Sequence, residues 1–168
     1  MTIYLKGETH RFSDNINTDL IISVKRKRDT LDVEEMLPYL FEAIDINFYK
    51  KIHPGDFIVA GHNFGCGSSR EIAPQLIKAS GVKAILAKSF ARIFYRNSLN
   101  CGLIVLELNT DSIDEGDVLE AVIDTNMSYV KNTTKCFNVP IVPPSEFALT
   151  LIKYGGLFLY LREYPNFE

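Results

Sequence analysis

The sequence predicts an α/β fold with a parallel sheet at its core, on three observations. The runs Phe57 to Ala60, Ala84 to Ala87 and Leu103 to Leu106 are short, wholly apolar and of the length of buried strands. Helix-period segments lie between them with only brief connections, as when parallel strands are joined by crossover helices. From Gly116 onward the character changes to alternating segments, which adds β-strands beside that core.

Taken in order, Thr2 to Phe12 alternates around Ile3 and Leu5 and reads as the first strand. Residues 13–31 are polar and then strongly basic, so an exposed loop is expected there, interrupted by the apolar run Leu20-Ile21-Ile22. Asp32 to Tyr49 opens on Asp32 as a helix cap and carries Met36, Leu37, Leu40 and Phe41 at helical spacing, with Pro38 shortening any regular stretch. Pro54-Gly55 is a turn before the strand Phe57 to Ala60. Ile72, Ala73, Leu76, Ile77 and Ala79 then form an apolar helical face that stops at Gly81, and Pro74, tolerated in a first turn, sets the start between Ser69 and Ile72. Ser89 is expected to cap a helix running through Phe90, Ile93 and Phe94 to near Asn100. Val118 to Ile123 and Ser128 to Val139 read as β-strands joined through the polar turn Asp124 to Asn126. Pro143-Pro144-Ser145 introduces a final helix, Glu146 to Tyr154, closed by Gly155-Gly156. With no repeat and no low-complexity linker, residues 1–168 are read as one domain with a β-rich appendage.

Composition narrows the partners. The chain is 46% hydrophobic and 23% charged, ordinary values for a globular domain. A net charge of -3 argues against a nucleic-acid binder held by backbone electrostatics. No apolar run reaches membrane-spanning length and the amino terminus lacks a signal-peptide core, so a cytoplasmic chain is expected. Cys66, Cys101 and Cys136 are odd in number, far apart and without a CxxC pair, unlike a disulfide framework, a zinc site or a self-contained iron–sulfur site.

The most informative segment is Gly61-His62-Asn63-Phe64-Gly65-Cys66-Gly67-Ser68-Ser69-Arg70-Glu71. It sets two hydroxyls and a guanidinium at the mouth of a helix, where free N–H groups and the positive dipole end favour an anion. Glycines let the backbone approach a ligand, and Arg70 has the fork that grips a carboxylate. The segment lacks the lysine of a phosphate-binding P-loop, and Ser68 is not followed by the second glycine of a hydrolase nucleophile elbow. The bland alternative is a capping turn with Ser68 or Ser69 as N-cap and a solvated Arg70.

Asn63 to Glu71 resembles the signature of the small, swivelling subunit of the 3-isopropylmalate dehydratase family and its aconitase relatives. Two further blocks agree in order and spacing: Asp14-Asn15-Ile16-Asn17-Thr18-Asp19, and Lys88-Ser89-Phe90-Ala91-Arg92-Ile93-Phe94-Tyr95-Arg96-Asn97. The resemblance covers essentially the whole chain and implies a swivelling β/β/α domain like the fourth domain of aconitase. It further implies half of a two-subunit hydro-lyase, in which a partner large subunit holds a [4Fe–4S] cluster and the small subunit reaches a hydroxy carboxylic acid substrate across the interface. By position, Ser68 matches the base that removes a proton next to a carboxylate, and Ser69 and Arg70 match substrate-binding groups. Thr18 and Asp19 match a polar turn near the active site, with a plain backbone-capping turn as the alternative. Arg92 and Arg96, four apart on a helix face, are candidates for a carboxylate or the partner subunit, or else a solvated face.

Substrate choice points to the basic stretch Lys25-Arg26-Lys27-Arg28-Asp29. Relatives of isopropylmalate type carry an apolar residue where Arg28 falls, and those of homoaconitase type an arginine. An arginine against an isopropyl group is poorly solvated, whereas an extra carboxylate pairs with it. Ile72 is a second departure, standing where many relatives have histidine. By family frequency the first expectation is the isomerisation of isopropylmalate in leucine biosynthesis, with homoaconitase, citramalate or dimethylmalate dehydratase as alternatives. A non-catalytic anion-binding or regulatory module is the rival of a different class.

Overall fold

The computed structural model describes residues 2–30 and 32–165, with the side chains of residues 27–29 outside the described set. Strand β1 (Ile3–Arg11) is followed by helices α1 (Thr18–Ile21), α2 (Val24–Asp29) and α3 (Val33–Met36), a 3-10 turn (Leu37–Tyr39) and α4 (Phe48–Lys51). The chain continues through β2 (Phe57–Ala60), α5 (Ile72–Ala79), β3 (Ala84–Ala87), α6 (Arg92–Cys101) and β4 (Ile104–Glu107). It finishes with the meander β5 (Val118–Ile123), β6 (Ser128–Asn132) and β7 (Phe137–Ile141), then α7 (Glu146–Tyr154) and α8 (Leu157–Glu163).

The strands form one seven-stranded mixed sheet in the order β4-β3-β2-β1-β5-β6-β7. β1 to β4 run parallel, with Ile58 opposite His10 and Ile85, and Val105 opposite Ile85. β5 turns antiparallel on the other side of β1, and β6 and β7 continue as hairpins. Period-two alternation sorts the strand residues onto two faces. Ile58, Ala60, Ile85, Ala87 and Val105 face a core with Ile21, Ile22, Leu40, Phe41, Leu76, Ile77 and Phe94 from the helices. Phe57, Val59, Ala84, Leu86, Ile104 and Leu106 face a second core with Leu119, Ala121, Ile123, Val130, Ile141 and Leu149. Strands from both ends of the sheet order share that second cluster, so the sheet coils back on itself and leaves a β/β/α layering.

Several sequence expectations shift. Residues 13–31 are not a plain loop: Asn17 caps α1 by accepting the Asp19 amide at 2.9 Å, and Ile21 and Ile22 are fully buried. The apolar pair, too short to show periodicity, earns its helical turn by filling the core beneath the sheet. Ser89 does not cap α6, whose N-cap is Ala91; its hydroxyl accepts the Asn63 amide instead, at 2.9 Å. Ser68 and Ser69 do not cap α5 either, since the N-cap is Glu71. The segment 128–139 is two strands separated by a turn, and α8 follows Gly156, beyond the helix expected to be last.

Candidate active site

Three stretches far apart in sequence are stitched together at the carboxyl ends of the parallel strands, where ligands bind in open α/β sheets. The loop after β1 runs beside the glycine-rich loop after β2. The Asn15 amide donates to His62 O at 2.8 Å, the Gly65 amide to Ile16 O at 2.7 Å, and the Thr18 amide to Cys66 O at 2.8 Å. Asn17 and Cys66 form a parallel bridge, as do Phe64 and Phe90. The segment after β3 closes the other side: the Phe64 amide donates to Ser89 O at 3.0 Å, and the Ala91 amide to Phe64 O at 2.9 Å. Phe64 and Phe94 pack edge to face beneath, with centroids 5.3 Å apart.

Glycine is required at two points. A Cβ at Gly61 would overlap Asp14 Oδ1, the atom that accepts the His62 amide at 2.7 Å. Gly67 has φ +92, and a Cβ there would overlap the Asn17 carboxamide. Sequence reasoning passed over Asn17 as a functional residue. Its signal was present in the Asn-Thr-Asp triplet, but only the contact with Gly67 reveals its role in seating the two loops.

The expected site residues meet here with one exception. Thr18 is 1% exposed, and its Oγ1 donates to Ser68 O at 3.1 Å while lying 3.3 Å from Ser68 Oγ. Ser68 and Ser69 are exposed, so the hydroxyls remain open to a ligand. Arg70 is held from two sides: Nη1 donates to Ile22 O at 2.8 Å and Nη2 to the Asp19 carboxylate. These bonds engage two of the five guanidinium N–H donors, on a side chain that keeps 11% of its surface exposed. Asp19 thus stands in the site as the carboxylate partner of Arg70. The exception is Arg28, whose side chain lies outside the described residues. Arg92 and Arg96 are on α6, both exposed.

The arrangement can bind an anion and present a hydroxyl whose own hydrogen bond leads to a buried threonine. Among the described residues no group of three or more His, Cys, Asp or Glu side chains comes together to hold a metal ion. Cys66, Cys101 and Cys136 are separate free thiols, so the donor set of this chain does not fit an iron–sulfur cluster. No described helix is long and apolar enough to cross a membrane.

Comparison with known proteins accords with this geometry. Residues 6–111 match the aconitase C-terminal domain, a span that contains all three stitched segments. A 3-isopropylmalate dehydratase small subunit from Caldanaerobacter subterraneus is 46% identical over 95% of this chain and 98% of its own length. A methanogen homoaconitase small subunit from Methanocaldococcus jannaschii is 45% identical over 95% of this chain and 92% of its own. A crystal structure described as 3-isopropylmalate dehydratase, also from Methanocaldococcus jannaschii, superimposes with a TM-score of 0.90 at 44% identity, covering 97% of this chain and 96% of that one. With the domain match spanning the parallel part of the sheet and well over half of the chain, and relatives aligned nearly end to end, the chain belongs to the aconitase C-terminal domain family.

Proposed function

We propose that this chain is the small subunit of a heteromeric hydro-lyase that isomerises a hydroxy di- or tricarboxylic acid by dehydration and rehydration. The observation that carries the reading is the joined geometry of Ser68, Thr18 and Arg70: an exposed hydroxyl, a buried hydroxyl behind it and a clamped guanidinium on one sheet edge. In this reading the Ser68 Oγ alkoxide takes the proton from the carbon next to a substrate carboxylate, the C–H electron pair forms the double bond, and the neighbouring hydroxyl departs as hydroxide, which takes a proton from solvent to leave as water. Re-addition of water with the opposite placement gives the isomer. Arg70 uses its remaining donors to hold a carboxylate, and Ser69 contributes a further donor to the same group. An iron–sulfur cluster, which the residues of this chain do not hold, would belong to a partner large subunit and would supply Lewis acidity to the reaction. A free serine is a weak base, so its alkoxide must be stabilised by adjacent donors and positive charge.

The isomerisation of isopropylmalate in leucine biosynthesis is the first assignment, because several relatives carry that name. A homoaconitase-type substrate with an extra carboxylate is the second, favoured by Arg28 and by the methanogen relative. The test is to mix the chain with a cluster-loaded large subunit and follow the unsaturated acid by ultraviolet absorbance, offering isopropylmalate, citramalate, homocitrate and citrate in turn. The isolated chain is expected to be inactive and the complex active. Failure of the complex to turn over any of these acids would favour a binding or regulatory module. Strong preference for isopropylmalate over the tricarboxylates would remove the role given to Arg28.

A further inference from the structure

A groove of about 600 Å³ lies between the first half of α6, the end of β4 and the loop that follows β7. Its floor is apolar: Phe90, Val105 and Leu106 are all buried. Its rim is basic, formed by Arg92 and Arg96, which stand one helical turn apart on α6 and are both exposed. Among the described residues neither arginine has an ion pair or a side-chain hydrogen bond, whereas Arg26 and Arg70 are each paired with a carboxylate. Glu107, the one acidic residue of the lining, is paired with neither of them, so the rim keeps an excess of positive charge on a chain whose net charge is -3.

Two more features bear on what fills it. β4 is the last strand of the sheet and, among the described residues, pairs with β3 alone, so an edge of backbone donors and acceptors lies along the groove. Val142, also in the lining, is 85% exposed although it is a large apolar side chain. An unpaired edge, an apolar floor and two free guanidiniums match an extended peptide segment carrying carboxylates beside an apolar side chain. The groove adjoins the glycine-rich loop through the start of α6: Phe90 lies in its lining, the Phe64 amide donates to Ser89 O and the Ala91 amide to Phe64 O. A partner covering the candidate active site thus has this groove beside it.

The geometry points to this groove as the seat of an acidic, extended segment of the cluster-bearing large subunit, with carboxylates on Arg92 and Arg96 and an apolar side chain on the floor. The inference rests on the hydro-lyase reading above. Its test is the dissociation constant of the chain and its large subunit, measured by calorimetry at low and high salt. The wild-type chain is expected to bind, and more weakly as salt rises. The double variant R92E/R96E should bind at least about tenfold more weakly, with a flattened salt dependence, because like charges then face each other. Both arginines are exposed and unpaired, so unchanged circular dichroism and melting temperature should accompany the loss; Ser68→Ala should leave the dissociation constant unchanged. If wild type binds and R92E/R96E binds equally well with the same salt dependence, the docking site is wrong while the hydro-lyase reading stands. If binding is unchanged but KM rises, the arginines serve substrate and the proposal fails. If the variant instead abolishes self-association of the isolated chain, the occupant is a second copy. If the wild-type chain does not bind the large subunit at all, the hydro-lyase reading fails and takes this inference with it.

Discussion

Thr18 Oγ1 lies 3.3 Å from Ser68 Oγ and 3.1 Å from Ser68 O, within a side chain that is almost wholly buried. A hydroxyl has one proton, so when Thr18 gives it to the Ser68 carbonyl, Ser68 Oγ–H donates to Thr18 Oγ1. When Ser68 loses its proton, rotation of the Thr18 hydroxyl turns the acceptor into a donor to the alkoxide. Under the hydro-lyase proposal, we therefore assign Thr18 a positioning role behind Ser68, to be tested against direct substrate contact. Thr18→Val removes the hydroxyl at nearly constant volume and should lower kcat by up to about 100-fold with little change in KM. Thr18→Ser should restore most of the rate. Steady-state kinetics on the reconstituted complex decide it: a rise in KM at constant kcat would return Thr18 to the substrate-binding group.

Arg70 and Asp19 lead to a second expectation. The Ile22 carbonyl and the Asp19 carboxylate fix the plane of the guanidinium before any ligand arrives. Arg70→Lys keeps the charge but loses the fork, and with it at least one charge-assisted hydrogen bond of about 1.5–3 kcal/mol. KM for the carboxylic acid should rise about 10- to 100-fold on that basis. Asp19 is half exposed, so Asp19→Asn should change stability by no more than about 1 kcal/mol. It should raise KM in the same direction as Arg70→Lys and to a smaller extent. An unchanged KM in Arg70→Lys would show that this side chain only ties the two loops together.

What was legible in the sequence follows from how local each determinant is. β2, β3 and α7 were readable to the residue: four consecutive apolar residues leave a strand no exposed face, and Ser145 caps α7 by accepting the Ala148 amide at 3.2 Å. α1 and α2 were not: α1 is a single turn whose Ile21 enters a core built by distant residues, and α2 is a basic run with Val24 as its one apolar residue. α8 was hidden behind Gly156, at φ +129, and carries no buried residue whose periodicity would mark it. The residues of the site were nameable, but their relation was not. Thr18 and Ser68 are 50 positions apart, and they meet only because β1 and β2 are parallel neighbours that end on one edge.

The pair His10 and Asp56 sets a pH expectation. Asp56 is buried, accepts from His10 Nε2 and the His53 amide at 2.8 Å, and from the Glu8 amide at 3.3 Å. Burial pushes its carboxyl up, but these hydrogen bonds outweigh it and hold the group below the usual carboxylate range. A carboxyl depressed on folding contributes stability that is present above its unfolded value, about 3.9, and is lost as pH falls through the folded value. Asp56→Asn should therefore cost most near neutral pH, about 1–3 kcal/mol, and less as the medium becomes acid. Thermal melts of both proteins across that range test the sign. A deficit that grows below about pH 4 would contradict it.

Gly67→Ala tests whether the stitching of the two loops matters to chemistry as well as to folding. At φ +92 an alanine is strained by about 1–2 kcal/mol. Its methyl would also displace the Asn17 carboxamide, which caps α1 through the Asp19 amide at 2.9 Å, adding about 1 kcal/mol. The melting temperature should fall by about 2–4 °C for each kcal/mol lost. Thr18 and Asp19 follow Asn17 directly, so loss of the cap shifts both partners of the Ser68-Ser69-Arg70 segment at once. The rate should thus fall at temperatures where the variant is fully folded, with kcat and KM both affected. Asn17→Ala removes the cap without backbone strain and should reproduce the kinetic defect at a smaller stability cost. If Gly67→Ala is destabilised yet turns over at the wild-type rate, the hydrogen bond between Thr18 and Ser68 survives without the Asn17 cap, and the site is set by the strands alone.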